Sequence, residues 1–153
     1  MAERNPEAPA AGRSNRDTGA AGEKIASAFL RARGYKILET NYRTPFGEID
    51  IIAGHSGHTV FFEVKTRFSD NFGPPLASIT RNKQRHIIRN CLFYIKRRGL
   101  ADTPCRIDAI GIMLSSSGKL ETLEHVKDAI QMEAQGQGSW VKGHGRRNYN
   151  GRF

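Results

Sequence analysis

The stretch from Gly47 to Lys65, GEIDIIAGHSGHTVFFEVK, constrains the fold of this chain more than any other. β-Branched and aromatic residues dominate both of its halves, which predicts two short strands. Between the halves, Ser56 and Gly57 are typical of a two-residue hairpin turn, because Gly57 adopts a positive φ without steric cost. We therefore expect an antiparallel hairpin, and counting outward from its turn sets Asp50 opposite Glu63.

This hairpin carries charged residues that its apolar neighbours do not explain. Side chains alternate between the two faces of a strand, so Glu63 and Lys65 are expected together beside Asp50. Two carboxylates opposite each other in a ladder destabilise it. Mg²⁺ or Mn²⁺ prefers such oxygen ligands, and Lys65 would orient an attacking water or offset charge on a phosphate. The pattern predicts a metal site, and the alternative is a surface hairpin in which Glu63 pairs with Lys65.

The charge of the chain favours an anionic partner. Its 153 residues suit one domain, and the formal net charge of +9 favours nucleic acid through phosphate neutralisation. An evenly solvated basic surface is the alternative. No apolar run reaches the length of a membrane span, and the first residues lack the apolar core of a signal peptide. We therefore expect a cytoplasmic protein with no membrane partner.

Composition divides the chain into a central domain and two tails. Residues 1–17 lack any hydrophobic period and predict a disordered arm, and residues 18–132 form the domain. Residues 133–153 are rich in Gly and Arg, which predicts a disordered basic tail that adds nonspecific affinity for nucleic acid. A first helix from about Thr18 would place Glu23 in its first turn. There the helix dipole alone explains an acid, unless Glu23 faces the hairpin as a third carboxylate.

A second helix is predicted to begin after a Ser78 cap and to end at Gly99. Its apolar stripe would include Cys91 as a small core residue. Arg81, Lys83 and Arg85 crowd its first half, where basic residues oppose the helix dipole. These three residues are therefore candidate contacts to a nucleic-acid backbone.

Two features outside these elements have competing explanations. The loop after the hairpin contains Arg67, Phe68 and Phe72, and its aromatic rings would stack on a base or pack beneath their own loop. Asp108 lies inside an apolar strand, where pairing with Arg106 or another basic neighbour explains it better than metal binding does.

Several short motifs taken together resemble those of the YraN family of bacterial proteins. They are Gly22-Glu23, GEIDII at 47–52, FFEVKTR at 61–67, Lys83, and RID at 106–108. The resemblance covers about residues 19–130 and neither tail. That family is similar to the restriction-endonuclease-like, PD-(D/E)xK superfamily, and in layout to archaeal Holliday junction resolvases.

The resemblance implies an α/β fold with a central mixed sheet flanked by helices, in the order α-β-β-β-α-β-β. It also implies a catalytic site at matching positions. Asp50, Glu63 and the backbone carbonyl of Val64 would bind Mg²⁺ or Mn²⁺. Lys65 would be the catalytic lysine, and Glu23 would complete the metal site, often through water.

The function implied is a metal-dependent nuclease that acts on DNA, with branched or damaged DNA as the substrates to test. Basic residues would position the nucleic-acid backbone, namely Arg67, Arg81, Lys83 and Arg85. Resolvases act as dimers, which extends the resemblance to a homodimer. One alternative is a non-catalytic nucleic-acid-binding protein that retains the fold. Another is a metal-stabilised protein that binds a different partner.

Overall fold

Five strands and two α-helices make up the described part of the chain. The computed structural model describes residues 15–69 and 73–132. The elements follow the predicted order, with a short 3₁₀ helix added before the second α-helix. Their bounds are α1 Asn15–Ala32, β1 Lys36–Thr44, β2 Gly47–His55, β3 His58–Phe68, the 3₁₀ helix Pro75–Ser78, α2 Arg81–Arg98, β4 Cys105–Leu114 and β5 Leu120–Ile130.

The strands form one mixed sheet in the order β1-β2-β3-β4-β5. β3 and β4 run parallel from the pair Thr59–Cys105 to the pair Phe68–Leu114, and the other neighbours are antiparallel. Parallel strands need a long crossover connection, which α2 supplies here. The molecule is therefore a mixed α/β fold with a five-stranded mixed sheet and two helices, as predicted at that level.

The hairpin of β2 and β3 has the predicted two-residue turn. Ser56 and Gly57 have φ values of 50° and 77°, and His55 pairs with His58 across them. Two consecutive positive φ values define the type I′ turn that matches the twist of a hairpin. The ladder continues to the pair Ile51–Phe62 and ends there. The strands therefore stop pairing one step before Asp50.

Each face of the sheet packs against one helix, and burial on both faces is greatest at the central strands β2, β3 and β4. The core beneath α1 includes Leu30, Ile51, Phe62, Val64 and Ile110. The core beneath α2 includes Ile49, Ile52, Phe61, Cys91 and Ile107, which confirms Cys91 as a core residue. Burial on two faces explains why β3 and β4 read as continuous apolar runs rather than alternating ones.

Some predicted boundaries were wrong. Thr80, not Ser78, caps α2, and its hydroxyl accepts a hydrogen bond from the Lys83 N–H. The Ser78 hydroxyl instead donates to the Pro75 carbonyl within the 3₁₀ helix. Gly99 ends α2 in the left-handed conformation, as predicted. α1 begins at Asn15, three residues before the predicted start at about Thr18. The rest of the predicted arm and the predicted basic tail, residues 1–14 and 133–153, lie outside the described residues.

Neither helix among residues 15–69 and 73–132 combines the length and the apolar character that a membrane crossing requires.

Candidate functional site

Asp50 occupies the point where β2 and β3 stop pairing. Ile49 packs beneath α2 and Ile51 beneath α1, so the regular alternation of faces breaks at Asp50. Its carboxylate Oδ2 accepts a hydrogen bond from the Val64 N–H at 2.7 Å. A side-chain oxygen thus satisfies a backbone donor of β3 beyond the last ladder pair, and this holds the carboxylate against the β3 backbone.

The surroundings of Asp50 disfavour its ionised form. Burial and then the Glu63 carboxylate raise the pKa of Asp50 from 3.8 to about 7, although the Val64 N–H and Lys65 act in the opposite direction. Glu23 adds a smaller increase. The structure therefore brings all four predicted catalytic residues within electrostatic range of one another.

Glu63 and Lys65 form an ion pair on β3, between Oε1 of Glu63 and Nζ of Lys65. This pairing is what the surface-hairpin alternative predicts. However, the Glu63 side chain is only 12% exposed, so the pair is not a freely solvated one. Phe61, two residues before Glu63, packs beneath α2, which places Glu63 on the α2 side of the sheet.

Glu23 is not in the first turn of its helix. Because α1 begins at Asn15, Glu23 lies in the third turn, and the dipole explanation for it was wrong. Its Oε2 accepts a hydrogen bond from the Asn41 side chain at 2.9 Å. Burial and then the Glu48 carboxylate raise the pKa of Glu23, while Lys65 lowers it. Glu23 therefore faces the hairpin.

Glu48 is a fourth acid near this site, and it was not among the predicted site residues. It is the strongest charged influence on Glu23, and it approaches Arg43 at 3.7 Å. Because Glu48 is an exposed acid near the start of β2, no local pattern in the sequence distinguished it.

The oxygen atoms around Asp50 define which groups are available to a cation. Within the described ranges, no three His, Cys, Asp or Glu side chains lie close enough together to hold a metal ion. The N–H and C=O of a strand residue point to the same edge, so the Val64 carbonyl faces the same edge as the N–H that binds Asp50. Mg²⁺ is typically held by one or two carboxylates, and water and substrate supply the rest. The chemistry of Asp50, Glu63 and this carbonyl fits that requirement.

The four predicted nucleic-acid contacts do not form one group. Arg67 lies partly buried near the end of β3, and Arg81, Lys83 and Arg85 are exposed in the first turns of α2. Arg81 and Arg85 are one turn apart on the same face of the helix. Lys83 shares its face with Ile87, which packs beneath α2 against the sheet. Lys83 therefore lies on a different side of α2 from Arg81 and Arg85, although all three side chains are exposed.

Phe68 and Phe72, the two aromatic residues predicted to lie in the loop after the hairpin, are not seen as a surface for base stacking among the described residues. Phe68 is the last residue of β3 and not a loop residue, and it packs against the core beneath α1 instead of under the loop. Phe72 lies outside the described residues.

Asp108 is fully buried and pairs with basic neighbours, as predicted. Arg106 donates to it through Nε at 2.9 Å, His125 contacts it through Nε2 at 2.9 Å, and the Asp128 N–H donates at 2.9 Å. Burial alone would raise the pKa of Asp108, but these hydrogen bonds outweigh burial and lower it. His125 and Asp128 were missed because they come from β5, far along the chain. Asp108 is thus a structural residue.

Comparisons with known proteins identify relatives that match most of this chain. Residues 22–112 match the profile described as "Uncharacterised protein family UPF0102". A UPF0102 protein of Pelobacter propionicus is 42% identical over 120 residues, which are 77% of this chain and 85% of that protein. Those of Hahella chejuensis and Moorella thermoacetica are 47% and 41% identical, over 67% and 75% of this chain and 83% and 96% of theirs. The matched residues include all four predicted catalytic residues, namely Glu23, Asp50, Glu63 and Lys65.

Proposed function

This chain belongs to the uncharacterised protein family UPF0102, and we propose that it is a metal-dependent nuclease that cleaves phosphodiester bonds in DNA. We further propose that its sheet and helices are a restriction-endonuclease-like fold of the PD-(D/E)xK superfamily. We also propose that the YraN family, which the sequence resembles, is this same family.

The observation that carries the proposal is that Asp50 lies near Glu63 and Lys65 at the point where β2 and β3 stop pairing. The Asp50 carboxylate is fixed to the Val64 N–H, and Glu63 is close enough to raise its pKa. Folding alone gains nothing from two neighbouring carboxylates in a partly buried place. Such groups are typical of catalytic and ligand-binding sites.

The residues present divide the expected work among them. Asp50, Glu63 and the Val64 carbonyl would hold Mg²⁺ or Mn²⁺. Bound there, the ion would activate a water and offset charge on a phosphate oxygen. Lys65, now paired with Glu63, lies one pleat along β3, from which its ammonium group donates to the attacking water or to the phosphate. Glu23, held by Asn41, accepts hydrogen bonds from water on the α1 side.

Cleavage assays with a single substitution test this proposal. Wild type and Asp50→Ala are compared on branched, single-stranded and double-stranded DNA and RNA with Mn²⁺ present. We expect cleavage by the wild type and none above background by Asp50→Ala. Asp102→Ala is the matched control, because Asp102 is exposed in the connection between α2 and β4. Equal cleavage by wild type and Asp50→Ala would refute the nuclease assignment.

A non-catalytic nucleic-acid-binding protein is the second candidate. The observation that favours it is that α2 contains no Asp or Glu among its many Lys and Arg residues. In that case no substrate is cleaved, and Asp50→Ala binds DNA with the same affinity and the same salt dependence as the wild type.

A further inference from the structure

The outer face of α2 carries a row of arginines that folding does not require. Arg81, Arg85 and Arg89 follow each other at four-residue steps and are all exposed. Residues at this spacing lie above one another, about 6 Å apart along the helix axis. Within residues 15–69 and 73–132, none of the three forms an ion pair, whereas Arg98 at the far end of α2 pairs with Glu39. Arg81 also opposes the helix dipole in the first turn.

An exposed aromatic ring adjoins this row. Phe46 lies in the two-residue turn between β1 and β2 and is 46% exposed. The Arg89 guanidinium lies over its ring at 4.9 Å from the centroid, and Phe93 packs against it edge-on at 6.1 Å. The ring is therefore held in place by α2 while much of it stays accessible.

The turn that carries Phe46 is fixed to α2 and leads directly into the candidate active site. The Thr44 hydroxyl contacts the buried Asn90 side chain, and it also accepts a hydrogen bond from the Phe46 N–H at 3.0 Å. Gly47 follows at φ 145°, where a Cβ would lie 3.1 Å from the Asn90 amide nitrogen. Three residues later the same strand presents Asp50. A ligand along the arginine row and Phe46 would therefore continue toward Asp50.

We propose that Arg81, Arg85, Arg89 and Phe46 form a binding surface for a single-stranded polynucleotide. This inference rests on the proposed function and narrows the substrates of the nuclease to nucleic acid with an unpaired stretch. Positive charge that follows a backbone, next to an aromatic ring that stacks on a base, is the combination by which proteins bind single strands. A duplex keeps its bases stacked on one another, so it would use the arginines without the ring.

Binding measured without metal tests this surface separately from cleavage. Fluorescence anisotropy with EDTA present compares a single-stranded DNA, an RNA of the same sequence and the matching DNA duplex. We expect Phe46→Ala to weaken binding to the single strands about tenfold and to leave the duplex nearly unchanged. Phe46→Trp, which keeps a stacking ring, should retain the affinity for single strands. Leu120→Ala is the control, since Leu120 is 50% exposed on β5.

The arginines are tested through the salt dependence of binding. Arg85→Ala and Arg89→Ala should each lower the slope of log K against log salt by about 1, unlike Arg31→Ala in the last turn of α1. The inference would be overturned if Phe46→Ala weakened binding to the single strand and to the duplex equally. It would also be overturned if the arginine variants bound no more weakly than Arg31→Ala. A wild type that binds single strands through Phe46 but cleaves nothing overturns the nuclease proposal alone. Cleavage that depends on Asp50, with Phe46→Ala unaffected in single-strand binding, overturns this inference alone.

Discussion

Asp50 is the residue at which stability and function oppose each other. Its carboxyl has a pKa of about 7, raised first by burial and then by Glu63. A carboxyl whose pKa rises on folding destabilises the folded state, and this penalty grows as the pH rises from 3.8 to about 7. Above that range the penalty is constant. The carboxylate is therefore better suited to a ligand than to the fold.

Asp50→Asn should consequently stabilise the metal-free protein while it abolishes cleavage. The asparagine oxygen still accepts from the Val64 N–H, but the charge facing Glu63 is gone. We expect a gain on the order of 1–3 kcal/mol at pH 8 and almost none at pH 4. Urea denaturation with EDTA present measures both values, with Asp102→Asn as the control. A loss of stability at pH 8 would mean that Asp50 serves the fold.

Asp108 should behave in the opposite way, because its pKa is lowered by its hydrogen bonds. Asp108→Asn leaves Arg106 and His125 without the buried carboxylate, which should cost about 3 kcal/mol at neutral pH. A lowered carboxyl pKa gives stability that is present above 3.8 and is lost as the pH falls through the folded value. The difference between wild type and variant should therefore shrink in acid, as urea midpoints from pH 7 to pH 3 would show. A difference that does not change with pH would contradict this account.

The sequence predicted these residues unevenly, for physical reasons. Asp50, Glu63 and Lys65 were identified because charge in an apolar hairpin is anomalous. Glu48 was missed since an acid at an exposed strand end is ordinary by itself, and only the approach of α1 places it beside Glu23. Similarly, no local pattern indicates that His125 reaches Asp108, because that contact depends on the pairing of β4 with β5.

At the level of the elements, the close approach of α1 to β3 positions Glu23. A Cβ on Gly22 would lie 1.8 Å from Oγ1 and 2.9 Å from Cβ of Thr66, which no real contact permits. Gly22 is thus the residue that lets the helix lie against the strand. Gly19, one turn earlier in the same helix, has nothing within 4 Å of such a Cβ.

Gly22→Ala and Gly19→Ala should therefore have opposite effects. Alanine favours a helix by about 1 kcal/mol over glycine, so Gly19→Ala should stabilise the protein by up to that amount. Gly22→Ala should destabilise it by about 1–3 kcal/mol and reduce cleavage, because α1 must move away with Glu23. Thermal unfolding and cleavage rates measure the two effects. Thr66→Ala removes the nearer atom and should restore part of the loss, whereas a stable, fully active Gly22→Ala would refute the argument.

The elements themselves were largely predictable, and their pairing was less so. The turn at Ser56 and Gly57 was correct because two residues of suitable conformation determine a hairpin locally. The cap of α2 was misplaced because the 3₁₀ helix at Pro75–Ser78 uses Ser78 first. β3 pairs in parallel with β4, although the two strands lie more than forty residues apart in the sequence. The composition of a strand does not indicate which strand will be its neighbour in the sheet.

For the whole molecule, the two helices assign different tasks to the two faces of the sheet. α1 holds Glu23 against Asn41 of β1, and α2 supplies an exposed row of arginines, Arg81, Arg85 and Arg89, that form no ion pair among the described residues. The chain carries a net charge of +9, and part of the excess comes from Lys142, Arg146, Arg147 and Arg152. These four lie outside the described residues. These two separate sources of positive charge, one on α2 and one in residues 142–152, should affect binding in different ways.

Replacing Lys142, Arg146, Arg147 and Arg152 by glutamine in the full chain should weaken every nucleic acid alike. Lysine and arginine side chains that neutralise phosphates without recognising the form of the nucleic acid strengthen binding by releasing counterions. This contribution to affinity arises in the same way for single strands and duplexes. We expect the slope of log K against log salt to fall by up to about 3, with the preference for single strands and the thermal midpoint unchanged. Anisotropy titrations between 50 and 200 mM salt, set beside those of Phe46→Ala, separate the two sources. If the glutamine variant instead loses its preference for single strands, discrimination resides in residues 142–152 and not in the outer face of α2.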